Sequence, residues 1–204
     1  MKNTLSSLLA GAFLLFTVPL AAQNDTLPKG FAQLLDRAHM SFLYPEGLVG
    51  VPCIENAQMN YDFALKYPDH NFEVRYAVRP LDSLLIQYNE EASKGATTIN
   101  PNQWCDAMFK ATLLNIGMGG PATGELPEIS AFPAEAVRGE FGADWGAVAF
   151  VMLGPEFGGS TYKYCLAMTI HRDNVGDAYI FYLSDDNQTM SNLMEKPFHA
   201  LQFK

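Results

Sequence analysis

Apolar and polar residues alternate strictly over residues 59–80. Tyr61, Phe63, Leu65 and Tyr67 are separated by Asp62, Ala64 and Lys66, and after Pro68-Asp69-His70-Asn71 the pattern resumes with Phe72, Val74, Tyr76 and Val78 between Glu73, Arg75, Ala77 and Arg79. Period two across a turn predicts an antiparallel hairpin with the aromatic and branched set inward and Glu73, Arg75 and Arg79 toward water. Helical spacing of Phe31, Leu34, Leu35 and Ala38 predicts a short helix over residues 30–39, and residues 41–45 read as a strand stopped by Pro45.

Beyond the hairpin, Asp82 opens a helix with Leu81, Leu85, Tyr88 and Ala92 on one side, ended at Lys94-Gly95. Asn100 and Pro101 start a second helix, whose predicted buried stripe is Trp104, Met108, Ala111 and Leu114, joined by Phe109 and Ile116, and whose stop is Gly117. Residues 119–133 have no apolar period and read as a long loop. Residues 136–143 read as a mixed strand. Residues 145–153 are apolar at every parity, as expected of a central strand, and so are residues 178–183. Between these two, Tyr162 to Ile170 alternates. Asp185, Asp186 and Asn187 supply caps for a last helix, which Pro197 bends or ends. Helices grouped between hairpins, without β-α-β alternation, predict an α+β fold with a mainly antiparallel sheet, and strands apolar on both faces predict helices on both sides of it.

The first 22 residues stand apart. Lys2, the apolar run Leu8 to Phe16 and the small residues before Gln23 have the three-part layout of a secretory signal peptide, with cleavage expected after Ala22. The run is shorter than the roughly 20 residues of a membrane span. This predicts an exported protein, periplasmic or extracellular, and no Cys follows the run to carry a lipid anchor. The remaining chain of about 180 residues fits one domain over 41–204, preceded by an N-terminal segment, 23–40, holding the short helix. Hydrophobic content of 49% against 17% charged residues places it among globular rather than disordered chains. Loss of Lys2 takes the net charge from −9 to about −10, a sign that disfavours nucleic acid and anionic lipid as partners.

Cys53, Cys105 and Cys165 are an odd count without a C-x-x-C pair, leaving either three free thiols or one disulfide and one thiol. His39, His70, His171 and His199 have no metal-ligand spacing. His171 with Asp173 shares a strand face and is either an acid/base pair or a polar cluster at a turn. Asp185-Asp186-Asn187 lacks the Gly and distant Glu of a calcium loop, and Gly117-Met118-Gly119-Gly120 follows a helix where a phosphate loop must open one. Trp104 and Trp145, the residues best able to stack on sugar rings, sit in apolar patterns that also suit a core. No catalytic residue, metal set or cofactor motif is predicted, and binding residues are not legible.

Phe42-x-Tyr44-Pro45-x-Gly47 resembles the opening of PsbP-like proteins, the Mog/PsbP-type α/β/α sandwich shared by a photosystem II extrinsic subunit and a nuclear-import factor. The strand Gly176 to Phe181, an acidic cap, a final helix and Leu201 to Phe203 resemble its ending. The resemblance spans residues 40–203 in element order and implies an α/β/α sandwich. It also implies a role in binding or assembly, with an exported or envelope protein as partner. No functional residue of the family is matched by position. The signal end Leu20-Ala21-Ala22-Gln23 is similar to exported proteins of the Bacteroides group. The leading expectation is therefore a non-enzymatic exported binding or assembly domain, with the 119–133 loop as first contact surface. The alternative is a secreted hydrolase whose acidic site assembles from distant segments.

Overall fold

The computed structural model describes residues 27–118, 120 and 124–204. The expected signal peptide and its cleavage site lie outside the described residues, as do residue 119 and residues 121–123 of the expected loop. In chain order the elements are α1 Lys29–Arg37, β1 Met40–Phe42, β2 Val49–Val51, β3 Phe63–Lys66, β4 Phe72–Pro80, α2 Asp82–Ser93, a 3-10 turn Pro101–Gln103, α3 Cys105–Ile116, β5 Ile129–Ala131, α4 Ala134–Phe141, β6 Trp145–Met152, α5 Pro155–Gly158, β7 Tyr164–Arg172, β8 Gly176–Ser184, α6 Asn187–Leu193, α7 Glu195–Phe198 and β9 Leu201–Phe203. Seven strands form one antiparallel sheet in the order β2-β3-β4-β8-β7-β6-β5, and β1 pairs with β9 in a separate ladder. The chain is thus α+β.

The pleat sorts apolar residues into two clusters. Phe63 and Leu65 of β3, Val74 and Tyr76 of β4 and Ile180 and Tyr182 of β8 belong to one, with Phe31 and Leu35 of α1, Phe141 of α4 and Met190 of α6. Ala64, Ala77, Ala167, Tyr179 and Phe181 belong to the other, with Phe109, Leu113 and Ile116 of α3 and Phe157 of α5. The expected hairpin is present with Phe63 opposite Tyr76 and Leu65 opposite Val74. A one-residue slip would send all four to the wrong face.

Five expectations are corrected. Glu73 and Arg75 are buried, 8% and 4% exposed, because Tyr61, Phe157 and Tyr162 cover that side of β4. Tyr61 precedes β3 and packs with the second cluster rather than with Phe63. Residues 136–143 are mostly the helix α4, where Val137 and Phe141, one helical turn apart, are the buried positions. Gly142 ends it in the left-handed region (φ 62°), and a Cβ there would lie 2.6 Å from the Phe203 carbonyl oxygen, so only glycine fits. β6 is second from the sheet edge, with Phe150 and Met152 exposed, whereas β8 is the central strand. Part of the expected loop is β5, paired to β6 from Ile129 to Ala131.

Tyr76 is fully buried among Phe31, Phe42 and Phe63, and its hydroxyl has no hydrogen-bond partner among the described residues. Leaving a buried donor unmade costs about 1–3 kcal/mol. Tyr76→Phe is therefore expected to raise stability by about 1 kcal/mol in urea denaturation. A loss of that size would mean that the hydroxyl has a partner.

Candidate binding groove

β4 and β8 run side by side with Arg79 opposite Asp177 and Ala77 opposite Tyr179, so these four share one face of the sheet. At the end of β4 the chain passes through Pro80 and Leu81 into α2. The Arg37 guanidinium reaches Asp82 with two bonds of 2.9 and 2.6 Å, tying α1 to the start of α2. This pairing holds the Asp82 carboxyl down at about 2. The 3-10 turn is tied to the β7–β8 turn by a reciprocal amide pair: Asn102 Nδ2 donates to Asn174 Oδ1 at 2.9 Å, and the Asn174 backbone N–H donates to Asn102 Oδ1 at 2.9 Å. Asn174 tolerates the left-handed backbone (φ 62°) that this turn requires.

Between these fixed pieces lies a groove of about 430 Å³. Its walls are Leu34 of α1, Met59, Leu81 and Leu84, with Trp104 and Met108 from the start of α3; Thr112, Asp177 and Tyr179 supply polar atoms. A second lobe of about 280 Å³ shares Leu84, Pro101 and Trp104 and continues past Tyr88 and Glu91 of α2. The groove exists because α3 turns Trp104 and Met108 of its expected stripe away from the core, while α2, whose expected side has buried Leu81 just before it and half-buried Leu85 and Tyr88 on it, packs only shallowly. α3 buries Phe109, Thr112, Leu113 and Ile116, and leaves Trp104 half-buried and Met108 half-exposed. α2 contains no buried residue, and Ile86 is 62% exposed. Trp145, by contrast, packs against the second core cluster. The Tyr179 side chain is 4% exposed and its hydroxyl has no hydrogen-bond partner among the described residues. Burial, with Asp177 adding to it, pushes this phenol well above its ordinary value.

His171 lies next to this groove. Directly across the β7–β8 ladder from Asp177, it is buried rather than exposed at a turn. Nδ1 is 2.7 Å from Asp177 Oδ1, and Nε2 is 3.0 Å from Asp173 Oδ1. Burial pulls the imidazole down, but the hydrogen bonds and charges of Asp177 and Asp173 outweigh it and the net shift is upward. In the charged form both ring nitrogens donate to carboxylates, which leaves no lone pair to take a proton from a substrate. Asp173 was legible beside His171. Asp177 was not, although a three-residue turn over 173–175 would have placed it opposite.

A second charged group is sealed in the sheet. Arg75 Nε donates to Glu73 Oε1 at 2.6 Å and Nη1 to the Phe157 carbonyl at 2.6 Å, with the guanidinium 4.8 and 4.7 Å from the Tyr61 and Phe157 ring centroids. The Tyr162 hydroxyl donates to Glu73 Oε2 at 3.2 Å. This cluster anchors α5 and Tyr61 to β4.

The other expected features remain apart. His70 is in the β3–β4 turn, and His199 meets Glu140 at 2.9 Å. Asp186 caps α6 by accepting from the Thr189 N–H, and Gly117 ends α3. Cys53, Cys105 and Cys165 are free thiols, but only Cys165 is buried. Among the described residues no group of three or more His, Cys, Asp or Glu side chains could hold a metal ion, and no helix is long and apolar enough to cross a membrane. No family model matches the chain, and no curated protein or solved structure matches it significantly.

Proposed function

We propose that this chain is an exported, non-enzymatic binding domain of the PsbP-like α/β/α kind, and that it binds its ligand in the groove between α1, α2 and α3. One observation carries the reading: Trp104 and Met108, at core-forming spacing on α3, line an open apolar cavity instead of the core. Apolar concavities with a few convergent polar groups are the usual form of ligand sites. The two buried clusters on alternating sheet positions, each containing helix residues, support the layered α/β/α reading. The apolar run after Lys2 supports export. The hydrolase reading has less support. Asp177 is held by His171 and Asp62 by Arg79 at 2.7 Å, and Asp82 and Asp186 shift down where a general acid must shift up.

The neutral dye N-phenyl-1-naphthylamine is expected to brighten on binding wild-type protein. Trp104→Ala and Met108→Lys, with unchanged far-ultraviolet circular dichroism, are each expected to weaken it about tenfold, or ~1.4 kcal/mol. Equal dye affinity in wild type and both variants would remove the groove as the site.

A further inference from the structure

Resting on the groove being the binding site, we infer that its ligand is a small amphiphile: an apolar chain or ring bearing a hydroxyl or ammonium head, and not an anion. The volume, about 430 Å³, lies within the range of about 300–1,000 Å³ that suits a small molecule, whereas a protein partner covers about 800 Å² on each side. The head group follows from the polar atoms. Asp177 gives Oδ1 to His171 and keeps Oδ2 as an acceptor. Tyr179, 4% exposed as a residue, lines the cavity, and its hydroxyl has no hydrogen-bond partner among the described residues, so it is free to bond a ligand group there. A hydroxyl or ammonium group donates to the carboxylate, and a hydroxyl also accepts from the phenol.

Charge argues against an anionic head. The cation lining the groove is Arg79, and its guanidinium is engaged by Asp62 and by the carbonyls of Val78 and Asn60. Glu91 stands in the adjoining lobe, and the whole chain carries a net charge of −9. A carboxylate placed beside Asp177 would be desolvated against a like charge with no free counter-ion among the described residues.

The test displaces the neutral dye from purified protein with three probes of equal chain length: 1-octanol, octylammonium and octanoate. Octanol and octylammonium are expected to displace it, and octanoate about tenfold less effectively or worse. Tyr179→Phe removes one hydroxyl without touching the walls. It is expected to weaken octanol about three- to tenfold more than it weakens the dye, which has no hydroxyl to lose. Octanoate displacing as well as octanol would overturn the head-group assignment and leave the groove as the site. If the dye binds but no octyl probe displaces it, the amphiphile is the wrong class. That holds also if an exported protein is captured by wild type and not by Met108→Lys. If the dye does not bind at all, the groove itself is the wrong site.

Discussion

Arg75→Met is expected to lower the unfolding free energy by about 3–5 kcal/mol, read from urea denaturation. The Arg75 and Glu73 side chains are 5% and 11% exposed, and they are 2.6 Å apart. Removing the guanidinium leaves the Glu73 carboxylate buried with one hydrogen bond, from Tyr162, and leaves the Phe157 carbonyl without its donor. The loss reflects that stranded charge more than the intrinsic strength of the pair. Glu73→Leu combined with Arg75→Met is therefore expected to recover most of it, because two apolar groups need no partners. A double variant as unstable as the single one would show that the ring contacts of Arg75 with Tyr61 and Phe157 dominate instead.

The second large effect is at His171. Its side chain is 3% exposed and that of Asp177 is 9% exposed. His171→Leu strands Asp177 and is expected to cost about 3 kcal/mol. The same pair gives stability a pH dependence of definite sign. The folded pKa of His171 is raised, so its contribution is fully present below the unfolded value of about 6.5 and is lost as pH rises through the folded value. Above it the neutral ring has a single N–H, and either Asp173 or Asp177 faces a lone pair. His171→Gln keeps one donor toward Asp177 and does not titrate. Its stability is expected to lack the part of the alkaline decline that wild type shows. Superimposable stability–pH curves for the two proteins would refute the assignment.

The hairpin was readable because period two needs nothing beyond the local chain, and β8 because its run is apolar at every parity. Phe72, Val74, Tyr76 and Val78 sit together as the alternation requires. Alternation does not say what covers the opposite face, and so the burial of Glu73 and Arg75 was hidden: their cover, Tyr61, Phe157 and Tyr162, comes from remote segments. Residues 136–143 were misread because Val137 and Phe141, four apart, satisfy a strand parity as well as a helical turn. On α3 two overlapping apolar stripes competed, and the position of the sheet selected Phe109, Leu113 and Ile116. The groove is made of what that choice left over, which is why no window of sequence contains it.

The placement of β8 between β4 and β7 has a consequence for how the chain reaches its native form. β2, β3 and β4 make one ribbon and β5, β6 and β7 another, and β8 alone joins them, through pairings such as Val74 with Tyr182, more than a hundred residues apart. A chain emerging N-terminus first can assemble the first ribbon early, but β4 keeps an open edge until residue 184 has arrived. Met40 to Phe42 must likewise await Leu201 to Phe203. Such distant pairing is slow to form. Until β8 arrives, β4 presents an unpaired edge to any other strand, so the delay is the interval in which the chain is most open to pairing with a second copy of itself.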